Sequence, residues 1–437
     1  MTTPPEKSEE SAPDAPVVGH MRDRFTFLVV VMGTFGLQGL TLVTGIISAR
    51  LLGVEGRGQV ALVFALGLML SQVTFGGSLP VAIAKNLAER RLAARDGLRR
   101  LARRRGWMLL LPCVLAAVML LLLERDASGG ERYGLAVAVA VMTLQTLVFR
   151  MLVGSLQGEI GHLGRMALVA MTPQALFTIA LTTAWLAGWQ WSALDVLASF
   201  FVASLIGVLL GWRALARPTR RVEDELDQGR LFADARHAYV SSVRPIDGIG
   251  LDRILVGALL GTFALGLYAA AVAVAFLCSI VGQAVSVITL PRVAMYHDDP
   301  EAQRAVIRRW LLLSAALIVV IVLAVQAIVA PAIRIAFGEE FTGAITVARW
   351  LVLAVGFLGF RTVLISVLQG QGRGGTASWI ELALTPVLVV GVLISAHYES
   401  LEGVGVAMLV VGVIACIALG AVVARRQPVR PPSTTST

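Results

Sequence analysis

Twelve times along the chain a run of mainly apolar residues is bounded by charge, glycine or proline, near 25–49, 59–84, 107–123, 133–156, 166–187, 193–212, 238–260, 264–290, 307–330, 346–368, 377–396 and 404–424. About twenty such residues, rising about 1.5 Å each, let an α-helix cross the roughly 30 Å hydrocarbon core of a bilayer. Lipid offers no partner to the backbone, so each crossing must satisfy its own N–H and C=O groups as a helix. The expected fold is therefore an all-α polytopic membrane protein with about twelve transmembrane helices. Only 15% of the residues are charged, against about a quarter in soluble domains, which argues against a soluble catalytic domain on a single anchor.

The formal charge of +9 would, taken alone, suggest nucleic acid. Position argues otherwise, because the basic residues lie almost entirely between the apolar runs, where they orient helices and meet anionic lipid headgroups. Alternating connections, with Arg308 and Arg309 at the edge of the ninth run included, carry 27 Lys and Arg on one side and five on the other, so the rule that positive loops stay inside puts both termini in the cytoplasm. The richest loop, residues 85–105, has the pattern of an amphipathic interfacial helix and is expected to bind anionic lipid and not nucleic acid. Trp107, Trp212, Trp310 and Trp379 fall at span ends, where an amphipathic ring prefers the headgroup region. The polar, proline-rich start lacks the apolar stretch of a signal peptide and reads as a disordered tail. Cys113, Cys278 and Cys416 and the five histidines are scattered without ligand spacing, so no metal, cofactor or catalytic base is indicated. Gly370-Gln371-Gly372-Arg373-Gly374-Gly375 lacks the Lys and Ser/Thr of a phosphate-cradling loop and reads as a turn between helices.

Short matches recur at a nearly constant offset. Leu51-Leu52-Gly53 with Gly58 and Ala61 returns as Leu259-Leu260-Gly261 with Gly266 and Ala269; Leu79-Pro80 returns as Leu290-Pro291; Leu156-Gln157-Gly158 returns as Leu368-Gln369-Gly370; and Thr172-Pro173 returns as Thr385-Pro386. Four matches in one order point to a duplicated unit. Each half holds an even number of spans, so the halves insert in the same orientation about an axis along the membrane normal. The expected organisation is a cytoplasmic tail at 1–21, a first lobe at 22–212, a cytoplasmic linker at 213–237, a second lobe at 238–424 and a cytoplasmic tail at 425–437.

The pattern resembles the superfamily of multidrug, oligosaccharidyl-lipid and polysaccharide exporters, and most its polysaccharide flippase branch. The likeness rests on Leu52-Gly53-Val54-Glu55-Gly56-Arg57-Gly58, on Asp252-Arg253-Ile254-Leu255-Val256-Gly257 leading to Gly266-Leu267-Tyr268-Ala269, on Phe337-Gly338-Glu339-Glu340-Phe341, and on Leu368-Gln369-Gly370-Gln371-Gly372-Arg373. It implies a transporter, not an enzyme, that moves a polyprenyl-diphosphate-linked oligosaccharide from the inner to the outer leaflet, with one chain as the working unit. Two other readings stay open: a cation-coupled multidrug antiporter, which needs a carboxylate in its cavity, and a lipid II flippase, which usually has two further helices and arginines in the first helix. Here that first helix offers only Gln38.

Charge at membrane depth costs a few kcal/mol by insertion scales and normally faces a protein interior or a hydrated cavity. Arg150 and Arg361 occupy equivalent places in the two halves, each after a phenylalanine. Facing a central cleft, they would offer planar forks of donors to a diphosphate; alternatively each serves its own lobe or snorkels to the surface. The seventh span carries Arg244, Pro245, Asp247, Gly250, Asp252 and Arg253 within ten residues. Proline and glycine there suit a broken, cavity-lining helix, with Arg244 and Arg253 on the substrate and Asp247 or Asp252 as a coupling group or charge partner. The alternative is local neutralisation within an ordinary helix. Glu381 lies within about one turn of its span's end.

Overall fold

The computed structural model describes residues 18–90, 94–123, 129–158, 163–215, 228–242, 250–296 and 299–425. Arg244, Pro245 and Asp247, the two extreme tails and residues 216–227 of the expected linker lie outside the described residues. Within them the chain is helical throughout, with no strand. The helices of the first half are α1 (Val18–Ser71), α2 (Ser78–Arg90), α3 (Ala94–Arg105), α4 (Leu110–Leu123), α5 (Gly129–Gly158), α6 (Leu163–Leu186) and α7 (Ala193–Ala214). Those of the second are α8 (Gln228–Ser242), α9 (Leu251–Ala275), α10 (Ser279–Met295), α11 (Pro300–Ala336), α12 (Ala344–Gly370), α13 (Gly374–His397) and α14 (Leu401–Ala424).

Ten helical stretches among the described residues are long and apolar enough to cross a membrane. Two of them, Gly36–Thr74 and Leu251–Met295, each contain one bend, so the ten stretches correspond to the twelve expected spans, of which the seventh is described within Leu251–Met295 only from Leu251 to the bend. The bends are Gly53 (φ 66°, ψ −170°) in α1 and Gly261 (φ 84°, ψ 172°) in α9, positive-φ conformations that a side chain disfavours. These two glycines are counterparts in the sequence repeat, and the chain turns the same way at both.

Just past each bend the lobes meet. A Cβ added to Gly58 would lie 1.8 Å from the Thr262 carbonyl oxygen, and one added to Gly266 would lie 1.9 Å from the Val54 carbonyl oxygen. Val54 corresponds to Thr262 as Gly58 does to Gly266, so the contact is reciprocal about the pseudo-two-fold axis. With no hydrophobic drive between helices in lipid, backbone approach at small residues is what brings them together. A second tie lies on the same face: Arg50 at the end of the first crossing donates from Nε to the Ala336 carbonyl at 2.9 Å and from Nη2 to the Ile335 carbonyl, both at the C-terminus of α11. The negative end of the helix dipole receives the cation there.

The opposite, basic face carries α3 and α8. The linker expected up to residue 237 is helical from 228 onward, and Leu231 and Ala235 of α8 are wholly buried against Ile83 and Leu87 of α2, Leu101 of α3 and Leu215 after α7. Asp234 holds α8 in place, accepting from Lys85 Nζ at 3.0 Å and from Asn86 Nδ2 at 2.9 Å. Gly250, left-handed at φ 68°, caps the start of α9.

Candidate functional site

A cavity of about 620 Å³ lies between the lobes at membrane depth. The first two crossings, α5, α6 and α7 supply most of its wall, and the second lobe closes it with Gly250 and Arg253 at the start of α9 and with Ala269, Ala273 and Leu277 on the eighth crossing. Three arginines, Arg57, Arg150 and Arg253, line it, and no Asp or Glu does among the described residues.

Arg57 follows the Gly53 bend by one turn, which aims it back into the membrane. Its Nη2 comes within 3.5 Å of where a Cβ would stand on Gly45, so the guanidinium lies across the first crossing where that helix has no side chain. Its Nε is buried without an acceptor, and Arg253 is within Coulombic reach of it. Two guanidinium groups held near one another in a low-dielectric wall, neither with a carboxylate partner among the described residues, repel one another and attract an anion.

Asp252 does not supply that partner. Its side chain is buried at 6% exposure and accepts a 2.8 Å hydrogen bond from Tyr268 Oη, away from the cavity lining. Arg361, expected to face the cleft, does not: it is fully buried within the second lobe, 3.2 Å from Glu381. Arg150, its counterpart, does line the cavity. The structure thus brings Arg150 and Arg253 together and sets Arg361 apart. It also adds Arg57, which sequence reasoning passed over as part of a glycine-rich texture. The signal was available in the repeat, because the second half has Leu265 where the first has Arg57.

Neutral polar groups and rings complete the wall. Gln174 Nε2 donates to Thr44 Oγ1 at 2.8 Å, and Gln38 Nε2 reaches Gln283 Oε1 across the lobes at 3.3 Å. Gln145 donates to the Phe201 carbonyl at 2.7 Å, which fixes the amide and leaves its buried Oε1 without a donor. Phe64, Phe177 and Phe200 form an edge-to-face cluster, with Phe64–Phe200 centroids at 4.8 Å and Phe177–Phe200 at 5.1 Å. The arrangement suits a cargo with an anionic group, hydroxyl-rich polar surface and some apolar faces.

Comparison with known proteins follows the same lines. Residues 159–346 match a sequence family described as polysaccharide biosynthesis protein. No curated protein matches the chain. Among solved structures, the fold superposes on the lipid II flippase MurJ in an inward closed conformation with a TM-score of 0.70 at 13% identity, covering 91% of this chain and 88% of that one. It superposes on a multidrug resistance MATE family transporter of the MOP superfamily in an inward-facing conformation with a TM-score of 0.66 at 16% identity, covering 88% and 94%. An outward-facing MATE family transporter gives 0.57 at 16% identity, covering 90% and 92%. The chain thus shares its fold along nearly its whole length with transporters of the MOP superfamily, and its central residues match a polysaccharide biosynthesis family.

Proposed function

We propose that the protein flips a polyprenyl-diphosphate-linked oligosaccharide from the inner to the outer leaflet of the plasma membrane, for cell-surface polysaccharide biosynthesis. The observation that carries this reading is the cavity wall with three arginines and no described carboxylate. A diphosphate satisfies Arg57 and Arg253 together, because each guanidinium presents a planar fork to phosphate oxygens. A cationic drug would meet repulsion from the same groups. The cavity falls within the roughly 300–1,000 Å³ range of small-ligand sites, so it suits the diphosphate and a short sugar chain while the polyprenyl tail stays in lipid. Both termini lie in the cytoplasm by the charge rule, and a single chain encloses the cavity, so a monomer is the functional unit. Rocking of the lobes about the Gly58–Gly266 contact alternates access. The closer fit to the inward-facing than to the outward-facing MATE structure supports an inward-facing state here.

Lipid II is the second reading, supported by the likeness to MurJ, and it shares the diphosphate. One assay separates the readings. Purified protein in proteoliposomes is given fluorescent polyprenyl-diphosphate disaccharide, the phosphate-free polyprenyl glycoside of the same sugar, lipid II, or a cationic dye, and transfer is read by an impermeant quencher. The diphosphate disaccharide should move and the uncharged glycoside should not. Faster movement of lipid II selects the second reading, and movement of the dye alone rejects both.

A further inference from the structure

α3 has the sequence ARDGLRRLARRR, with six arginines and one acid. Leu98 and Leu101 dock it on the first lobe, and Arg99, Arg103, Arg104 and Arg105 stand exposed on its other side. None of these four has a carboxylate partner among the described residues. The helix lies at the basic end of the apolar spans, where an amphipathic arginine-rich helix meets lipid headgroups. Two residues beyond it the surface turns from charged to apolar, with Trp107 at 68%, Leu110 at 58% and Leu111 at 67% exposure at the start of α4. Two aromatic rings on neighbouring elements are covered by its cations. The Trp212 ring at the end of α7 lies under both Arg95 and Arg99, at 5.4 and 5.5 Å, and the Phe232 ring of α8 lies under Arg105 at 4.4 Å. Arg95 Nε is buried there without an acceptor.

We propose that α3 and the Trp212 end of α7 bind the headgroups of anionic phospholipids, and that through Arg105 on Phe232 this occupancy holds α8 on the first lobe and sets the rate of transport. The chemistry is that of a phosphodiester anion: each exposed arginine offers paired donors, and neighbouring arginines on one face reach adjacent headgroups in a plane. α8 is the element such binding controls. It packs on α2 and α3, it also meets α13 of the second lobe, and the chain after it re-enters the cavity wall at Gly250 and Arg253. A collar of anionic lipid on the first lobe therefore bears on the strut between the lobes.

The full-length protein, purified and reconstituted in nanodiscs mixing phosphatidylcholine and phosphatidylglycerol, tests this by native mass spectrometry of the lipid retained. That readout does not depend on which cargo is moved. Phosphatidylglycerol should be retained over phosphatidylcholine, and the triple variant Arg99→Gln, Arg103→Gln, Arg104→Gln should lose that preference by on the order of a hundredfold, about fivefold per arginine. Inorganic phosphate at matched ionic strength should not displace the lipid. Flipping in proteoliposomes should rise with phosphatidylglycerol for the native chain. Phe232→Leu should keep the lipid and lose that response. Equal retention of the two lipids, unchanged preference in the triple variant, or displacement by phosphate or by a short single-stranded RNA would overturn the proposal.

Discussion

Arg150 and Arg361 occupy corresponding places in the two halves, and one residue separates their fates. Glu381 lies four residues before Thr385-Pro386 and neutralises Arg361; four residues before Thr172-Pro173 the first half has Leu168, which is 71% exposed. Arg150 is thus left for the cavity while Arg361 is absorbed into its lobe. Removing one partner of a buried ion pair leaves an uncompensated charge, at a cost of about 3–5 kcal/mol, whereas replacing both with apolar groups is often neutral. Glu381→Gln should therefore lower the melting temperature in detergent sharply, and Arg361→Leu with Glu381→Leu should recover most of it. A cavity arginine should behave in the opposite way. Arg57→Ala should leave the melting temperature near normal and slow transport roughly ten- to hundredfold, the loss of a charge-assisted hydrogen bond. Arg57→Lys should restore part of the rate, since the charge returns without the planar fork. The repeat made Arg150 and Arg361 visible as a pair, but which of them faces the cleft depends on packing partners some twenty residues away. That information is not local, so the pair alone could not divide the roles. Asp252→Asn gives a further contrast: an amide oxygen still accepts from Tyr268, so transport of an anionic lipid should survive, while a proton-coupled antiporter relying on that carboxylate should lose coupling.

The membrane-spanning helices were legible as elements because length and apolarity are enforced by the bilayer at every residue of a span. Breaks in the pattern were harder to read. Gly53 and Gly261 stood out only as repeated letters, and nothing in the periodicity says that both adopt positive φ within an otherwise continuous helix. α8 was hidden for another reason. It lies between a polar linker and the charged seventh span, and its apolar side, Leu231 and Ala235, is too short to register as a buried face until α2 and α3 are placed beneath it. The helix crossing at Gly58 and Gly266 carries its own prediction. Even one methyl group at either position would press on a backbone carbonyl across the axis, and a carbonyl cannot swing aside as a side-chain end can. Gly58→Ala or Gly266→Ala should therefore part the lobes on that face. Distances between spin labels on Glu55 and Phe263 should lengthen in either variant, and unchanged distances would mean that the lobes yield elsewhere.

At the scale of the whole molecule the two faces differ in how they are shut. The face with the bends is closed by the reciprocal glycine contact and by Arg50 on the end of α11, and the cavity lies between that closure and the basic face. If the charge rule sets the orientation, the cavity faces the cytoplasm at rest, and cargo is loaded from the inner leaflet. Accessibility of single cysteines checks both parts in a background where Cys113, Cys278 and Cys416 are replaced by alanine. A cysteine at Arg95, on the basic face, should react with an impermeant maleimide only in inverted vesicles; reaction in intact cells would reverse the topology. A cysteine at Thr146, in the cavity wall, should also react from the inverted side alone. Adding Gly58→Ala should make Thr146→Cys reactive from outside the cell while Arg95→Cys remains protected there. That combination is the expected mark of alternating access, because a general leak would expose both positions together. A rigid scaffold without moving lobes would leave the Thr146 position unreactive from outside in every variant, and the proposed transport cycle would then have no path to the outer leaflet.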